Sequence, residues 1–267
     1  MVSGFVLKSE CLSFQAGGNR ILKDISLRFR SGEIAAVIGP SGSGKSTLIK
    51  CLTTTYEPSG GRVTLNGQDL ESQEAAYRGS LGYVPQDDII HPELKVESTL
   101  HFAARLRMPP ALSNEGIQSQ VDAMIQTLGL EERRNLRVRQ LSGGQRKRVN
   151  IGVELLADPT VLILDEPASG LDPGVEGDLL RFLRQFASSG KLILKTTHSM
   201  EYLDEVDQVV LLMDGYLIFS GLLDEMLAHF KIRHAAEVFK KIRSQEAERW
   251  QQHFDRAYPA TRRLNAP

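Results

Sequence analysis

Two cysteines, one tryptophan and a formal net charge of −1 mark what this 267-residue chain has little of. No metal-ligand spacing surrounds Cys11 or Cys51, so cysteine-based metal binding is set aside. Cys51 reads as a small buried apolar residue, and so few thiols fit a reduced, cytosolic setting. Near-neutral charge gives no global pull toward nucleic acid or an anionic membrane. No secretory signal is visible, and no apolar run approaches the ~20 residues needed to cross a bilayer. With 41% hydrophobic and 24% charged residues the composition is that of an ordinary globular protein, of a size for one large domain or one domain with lobes. Basic clusters do occur at Arg133, Arg134, Arg137 and Arg139 and at Arg146, Lys147 and Arg148; such runs are expected to be solvated faces or structural ion pairs.

The chain begins with β-type alternation around residues 5–7, 12–14 and 25–29. It then gives a continuous apolar run, Ile34 to Ile38, the pattern of a strand buried on both faces. A glycine-rich loop follows, then a helix from Thr47 to Leu52. Short strands are expected at residues 63–65 and 81–84, the second ending at Pro85. From about Val96 to Leu130 the period is helical, interrupted at Pro109-Pro110, with Ser113 a helix cap. Beyond residue 141, strands at 161–164, 192–196 and 209–213 alternate with helical stretches at about 144–157, 173–187 and 200–205. That alternation predicts a mostly parallel α/β core. Asp214-Gly215 predicts a hairpin, and the tail from Leu222 reads as helical, with Ala236, Phe239, Ile242 and Trp250 as its packing residues. There is no tandem repeat.

Four stretches carry chemistry. Gly39-Pro40-Ser41-Gly42-Ser43-Gly44-Lys45-Ser46-Thr47 fits the phosphate-binding pattern G-x-x-x-x-G-K-[ST]. Its glycines let backbone N–H groups surround phosphates, with the positive helix N-terminus behind them. Lys45 is placed to contact the β- and γ-phosphates and the Ser46 hydroxyl to ligate Mg²⁺. Asp165 ends an apolar strand and so reaches the same sheet edge, where it can hold Mg²⁺ through water. Glu166 points elsewhere and can direct or deprotonate the attacking water; alone, an acidic pair after a strand is also a helix-capping motif. Leu141-Ser142-Gly143-Gly144-Gln145 precedes a helix and forms a second anion nest, although the serine by itself reads equally as an N-cap. His198, after Thr196-Thr197, follows another strand.

In that order, P-loop, LSGGQ, acidic strand and histidine, the chain resembles the nucleotide-binding domain of an ABC transporter over nearly its whole length. The resemblance implies an ABC ATPase fold: a P-loop NTPase core of mostly parallel sheet, an N-terminal antiparallel β subdomain and an inserted α-helical signature subdomain at about 90–158. It implies an ATPase domain over 1–230 and a helical tail over 231–267 that leads toward a permease. Implied cofactors are ATP and Mg²⁺. Implied catalytic residues are Glu166, His198, which meets the γ-phosphate, and Lys45. Gln86 resembles the Q-loop glutamine that meets Mg²⁺ and water, and Ser169-Gly170-Leu171-Asp172 resembles the D-loop linking two sites across a dimer. Phe14 is the candidate for stacking on adenine. Signature residues Leu141 to Gln145 are expected to close over ATP held by a partner subunit, giving a homodimer around two ATP.

Several further stretches look like the White or G subfamily and bacterial ABC-2-type relatives. They are Val84-Pro85-Gln86-Asp87-Asp88, His91-Pro92, Leu100-His101-Phe102-Ala103, Gln145-Arg146-Lys147-Arg148-Val149 and Gly152-Val153-Glu154-Leu155-Leu156. Gln145, where many eukaryotic members have glutamate, favours a bacterial relative. The tail around Glu248-Arg249-Trp250 and Phe254 resembles the segment before such a permease. Export of lipid or another hydrophobic compound is thus implied, with the cassette on the cytoplasmic membrane face and its permease on another chain or outside this sequence. A soluble ABC ATPase of ribosomes or nucleic acid is the alternative; such relatives carry two cassettes or long coiled coils, and no nucleic-acid partner is expected. A non-hydrolysing regulatory module is disfavoured by Glu166 and His198.

Overall fold

The computed structural model describes residues 4–70, 77, 79–109 and 111–259; Pro110 lies outside them. Two sheets and a helical lobe make up the molecule. The smaller sheet is antiparallel, in the order β2 (Asn19–Arg30), β1 (Val6–Ala16), β4 (Gly60–Leu65) and β5 (Gln68–Asp69). The larger sheet runs β10 (Tyr216–Gly221), β9 (Gln208–Met213), β3 (Ile34–Ile38), β8 (Leu192–Thr196), β7 (Val161–Leu164) and β6 (Leu81–Val84). All its neighbours pair in parallel except the β9–β10 hairpin.

The parallel strands are buried on both faces, and their composition follows from it. Every residue of β3, β7 and β8 is buried, which is why these segments read as unbroken apolar runs. The exceptions are in β8: Thr196, and Lys195, which is 3% exposed and 3.4 Å from Glu176; burial lowers the lysine's pKa, against the pull of that carboxylate. At Asp214-Gly215 the chain reverses with φ of 48° and 80°, as a two-residue I′ hairpin requires. A Cβ on Gly215 would meet the Ile21 carbonyl oxygen at 2.3 Å, so this turn also locks β2 onto the large sheet.

Register brings four strand ends to one edge. Val37 lies opposite both Thr196 and Val210, and Leu164 opposite both Val84 and Lys195. The segments leaving β3, β7, β8 and β6 therefore emerge together, carrying the glycine loop, Asp165-Glu166, Thr197-His198 and Gln86. In an open α/β sheet this carboxyl edge is where ligands bind.

Along the chain α1 (Lys45–Leu52) follows β3 and α5 (Pro173–Ser188) follows β7; the helical lobe comprises α2 (Val96–Arg107), α3 (Asn114–Leu128) and α4 (Gly143–Leu155). Apolar side chains spaced one helical turn apart face inward: Val96, Leu100 and Ala103 from α2, and Ile117, Val121, Ile125 and Leu128 from α3. Ser113 caps α3 by accepting from the Gly116 N–H at 3.2 Å. Five of the seven basic residues in the two clusters are ion-paired. Arg134 pairs with Glu97 and Asp122 at 2.5 and 2.6 Å, Arg137 and Arg139 pair with Glu93, and Arg146 and Lys147 pair with Asp88.

Two local expectations fail. The stretch 200–205 is a single 3₁₀ turn, Leu203–Glu205, rather than a helix. Thr197 and Ser199 hydroxyls accept from the N–H groups of Ser199 and Glu201, and Tyr202 stands at φ 57°; side-chain bonding of this kind competes with the helical ladder. Ala236 is exposed and Val238 takes its place in the core. The described tail folds back onto the cassette through α6 (Leu223–Phe230), α7 (Val238–Ile242) and α8 (Ala247–Ala257). Ile242 and Trp250 are buried as expected, and the Trp250 indole N–H donates to the Ile242 carbonyl at 3.0 Å. Phe254 lies 5.5 Å from Phe219 of β10.

Candidate functional site

The glycine loop leaves β3 at Ile38 and turns into α1 (Lys45–Leu52). It is seated hard against the sheet: a Cβ on Gly39 would meet the Leu212 carbonyl oxygen at 2.3 Å and Ser43 Oγ at 2.6 Å. The Gly215 N–H donates to the Ser43 carbonyl at 3.1 Å, so the β9–β10 turn buttresses the loop. Lys45, first residue of α1, folds back to donate to the Gly39 and Pro40 carbonyls at 2.9 and 3.1 Å. Its ammonium is buried, which lowers its pKa, while Glu166 and Asp165 act in the opposite direction. Ser43 Oγ is buried with no hydrogen-bond partner. These groups form a cradle rich in N–H and cationic donors, suited to an anion.

A cavity of about 460 Å³ opens above the loop, lined by residues 39–47, Glu166, His198, Ile21 and Phe239. Its size is in the range of small-ligand sites. His198 Nδ1 lies 3.3 Å from Glu166 Oε2. Glu166 takes a left-handed backbone, φ 44°, rare for a residue with a side chain, and its N–H donates to Thr196 Oγ1 at 2.8 Å. The Thr196 hydroxyl in turn donates to Asp165 Oδ1 at 2.5 Å. Tyr83 also bonds the Asp165 carboxylate; burial first, and that acid second, raise the phenol's pKa. The two acids are thus separately oriented, Asp165 by Thr196 and Tyr83, Glu166 by its backbone turn.

Lys45, Glu166, His198 and the whole glycine loop meet in one cavity. Other expected site residues stand apart from its lining. Phe14 is stacked on Tyr56, ring centroids 5.0 Å apart and planes 9° from parallel. Gln86 is exposed, its carbonyl accepting from Lys147 Nζ at 3.0 Å. The Leu141–Gln145 turn caps α4: the Gln145 N–H donates to Ser142 Oγ and the Ser142 N–H to Gln145 Oε1, a reciprocal capping box. It leans on the following turn, since a Cβ on Gly143 would meet Leu171 Cδ2 at 2.8 Å. Ser169, Gly170 and Asp172 are exposed beside it.

Three residues of this region were not identified from sequence. Thr196 was noted only as a neighbour of His198, though a hydroxyl at a strand end beside an acidic strand end is a readable signal. Ile21 and Phe239 reach the cavity only through tertiary packing, which no local spacing announces. The helical lobe is joined to the core by a similar unforeseen bond: the buried Glu154 of α4, chelated by Arg107 of α2, accepts from the Tyr83 N–H of β6 at 3.3 Å.

Comparison with known proteins places this geometry. A family model described as ABC transporter matches residues 22–169. An ABC transporter ATP-binding/permease protein of Mycobacterium tuberculosis is 44% identical over 199 residues, 74% of this chain and 23% of that protein. ABC transporter G family member 6 of Arabidopsis thaliana is 40% identical, covering 78% of this chain and 30% of the relative. This chain therefore spans only about a quarter to a third of the length of these relatives. Among solved structures, an ATP-binding subunit of an ABC transporter superposes with a TM-score of 0.75 at 28% identity, covering 89% of this chain and 99% of that one. For cbiO1 of Clostridium perfringens, part of the ABC transporter complex cbiONQ, the TM-score is 0.78 at 29% identity, with 94% and 99% covered. The chain therefore belongs to the ABC transporter family.

Proposed function

We propose that the chain hydrolyses ATP in two composite sites of a homodimer and thereby drives an ABC-2-type permease that exports a lipid or other hydrophobic compound. The observation that carries this reading is the separation of two anion-binding devices in one chain. The glycine cradle faces a cavity holding Glu166 and His198, while the Ser142 turn contributes nothing to that cavity's lining. A second copy, rotated so that its Ser142-Gly143-Gly144 turn covers the triphosphate, completes each site. Closing and reopening of this pair, biased by nucleotide, supplies work to the permease.

Within the site, Lys45 and the loop N–H groups bind the phosphates. Glu166 accepts the proton of the attacking water, and His198 contacts the γ-phosphate and holds Glu166 in place. The Ser46 hydroxyl and the Asp165 carboxylate are hard oxygen donors that fit Mg²⁺, and Gln86 is the further candidate ligand. An ion held there would take the rest of its ligands from phosphate and water. When bound, it neutralises phosphate charge. Among the described residues no helix is long and apolar enough to cross a membrane, and the proposed place of the cassette is the cytoplasmic face, held there by the permease. The mycobacterial relative, whose name joins ATP-binding to permease, supports the membrane partner, and the export direction is taken from the resemblance to the G subfamily.

The test is an ATP-dependent dimer of the Glu166→Gln chain, followed by light scattering. It is expected to form with ATP and to vanish when Ser142→Arg is added, ATP affinity being unchanged. A dimer that survives Ser142→Arg removes the composite site.

A further inference from the structure

Phe239, from the C-terminal tail, reaches a nucleotide cavity whose other lining comes from β2, the glycine loop and the ends of two core strands. Its direction is set by its helix. Val238 and Ile242 of α7 are fully buried, and the Ile242 carbonyl is held by the buried Trp250 indole N–H. Phe239, between them in sequence, is half-buried against the core and turned to the cavity. Phe14 already has one ring face covered by Tyr56 and is absent from that lining.

ATP is a charged tail on a flat, largely apolar base. Once the cradle fixes the phosphates, the base needs an apolar surface at the cavity's far wall. Ile21 and Phe239 are the bulky apolar side chains in the cavity's lining. We propose that Phe239 holds the adenine ring of bound ATP together with Ile21, which makes the C-terminal tail part of the nucleotide site. The proposal rests on the triphosphate lying over the glycine loop. One consequence is reciprocal: nucleotide that touches the docked tail stabilises its docking, and a docked tail raises nucleotide affinity.

The experiment is calorimetric titration of the full chain with ATP, ADP and inorganic tripolyphosphate, comparing wild type, Phe239→Ala, Phe239→Tyr and Phe14→Ala. Phe239→Ala is expected to weaken ATP and ADP alike by about tenfold or more, the worth of a base–aromatic contact, while tripolyphosphate binds as before. Phe239→Tyr and Phe14→Ala are expected to bind like wild type. Undiminished or tightened ATP binding by Phe239→Ala overturns the proposal, tightening marking the tail as a plug. An equal loss of tripolyphosphate binding overturns it too, because the damage is then to the cradle. A wild-type chain that binds neither ATP nor tripolyphosphate overturns the glycine-loop reading as well, an outcome distinct from loss of the Phe239 contact alone.

Discussion

Two glycine-rich turns in this molecule, residues 39–47 and 141–145, each run into the start of a helix, yet their glycines answer to different neighbours. Gly39 is pressed against a backbone carbonyl of β9, with its Cβ direction blocked at 2.3 Å. Gly143 is pressed against the tip of a leucine side chain at 2.8 Å, and it lies inside α4 with no left-handed φ. In the first turn, the backbone is held against main-chain atoms of the sheet, which a side chain could not displace. In the second, the helix start is finished by its own capping box, and the glycines only keep it low against Leu171 and Val175. The site proposed to be shared between two copies calls for this division, with the cradle facing the cavity and the elbow lying outside its lining.

The largest expected effect separates binding from chemistry. Glu166→Gln keeps the cradle and the elbow but removes the proton acceptor, and is expected to lower phosphate release by about 10²–10⁴-fold. ATP affinity by equilibrium dialysis should stay at the wild-type level. Phosphate release near the wild-type rate would take the general base away from Glu166.

The glycine contrast gives the next effect. Gly39→Ala drives a methyl group into the Leu212 carbonyl and is expected to cost about 1–3 kcal/mol of stability or more, besides distorting the cradle. Gly143→Ala asks only that the half-buried Leu171 change rotamer, an adjustment of about 1 kcal/mol or less. Equal melting shifts for the two would show that the loop yields as easily as the elbow.

Thr196→Val leaves volume nearly unchanged in a fully buried position but strips a hydrogen bond from the Asp165 carboxylate and an acceptor from the Glu166 N–H. A bond to a charged group is worth about 1.5–3 kcal/mol, so turnover is expected to fall about tenfold or more, with ATP affinity nearly constant. Steady-state kinetics at saturating ATP would expose the idea as wrong if the rate were unaltered.

Residue patterns carried the parallel core because β3 and β7 are buried on both sides, and unbroken apolar runs with acids or glycine at their ends have few other readings. The hairpin at Asp214-Gly215 was legible for the same local reason, since both residues tolerate positive φ. What stayed hidden is contact between distant parts. No period in residues 231–242 says that Val238, and not Ala236, turns inward, or that Phe239 ends in the phosphate cavity. The 200–205 stretch misled because Thr197 and Ser199 satisfy nearby N–H groups with side chains. Thr196 lay in plain view, but a strand-end threonine acquires meaning only when register sets it beside Asp165.

The smallest expected effect tests the tail against the core through acidity. His229 of α6 lies among Phe219, Phe230, Phe254 and Tyr258, with Nε2 buried and unpartnered. Burial lowers its pKa from 6.5, and His253 nearby adds to that. The folded chain therefore favours the neutral ring. Above the unfolded value neither state is protonated and the contribution is whole. As pH falls below about 6.5 the unfolded chain takes up a proton that the folded chain resists, so stability is lost until the folded group also protonates. The half-buried Glu33, whose pKa burial raises, acts with the opposite sign, so the informative quantity is a difference between chains. Wild type is expected to lose more melting temperature than His229→Phe between about pH 7.5 and pH 5.5, with tail proteolysis rising in parallel. Identical pH profiles for the two chains would mean that the tail's grip on β10 does not depend on the charge of His229.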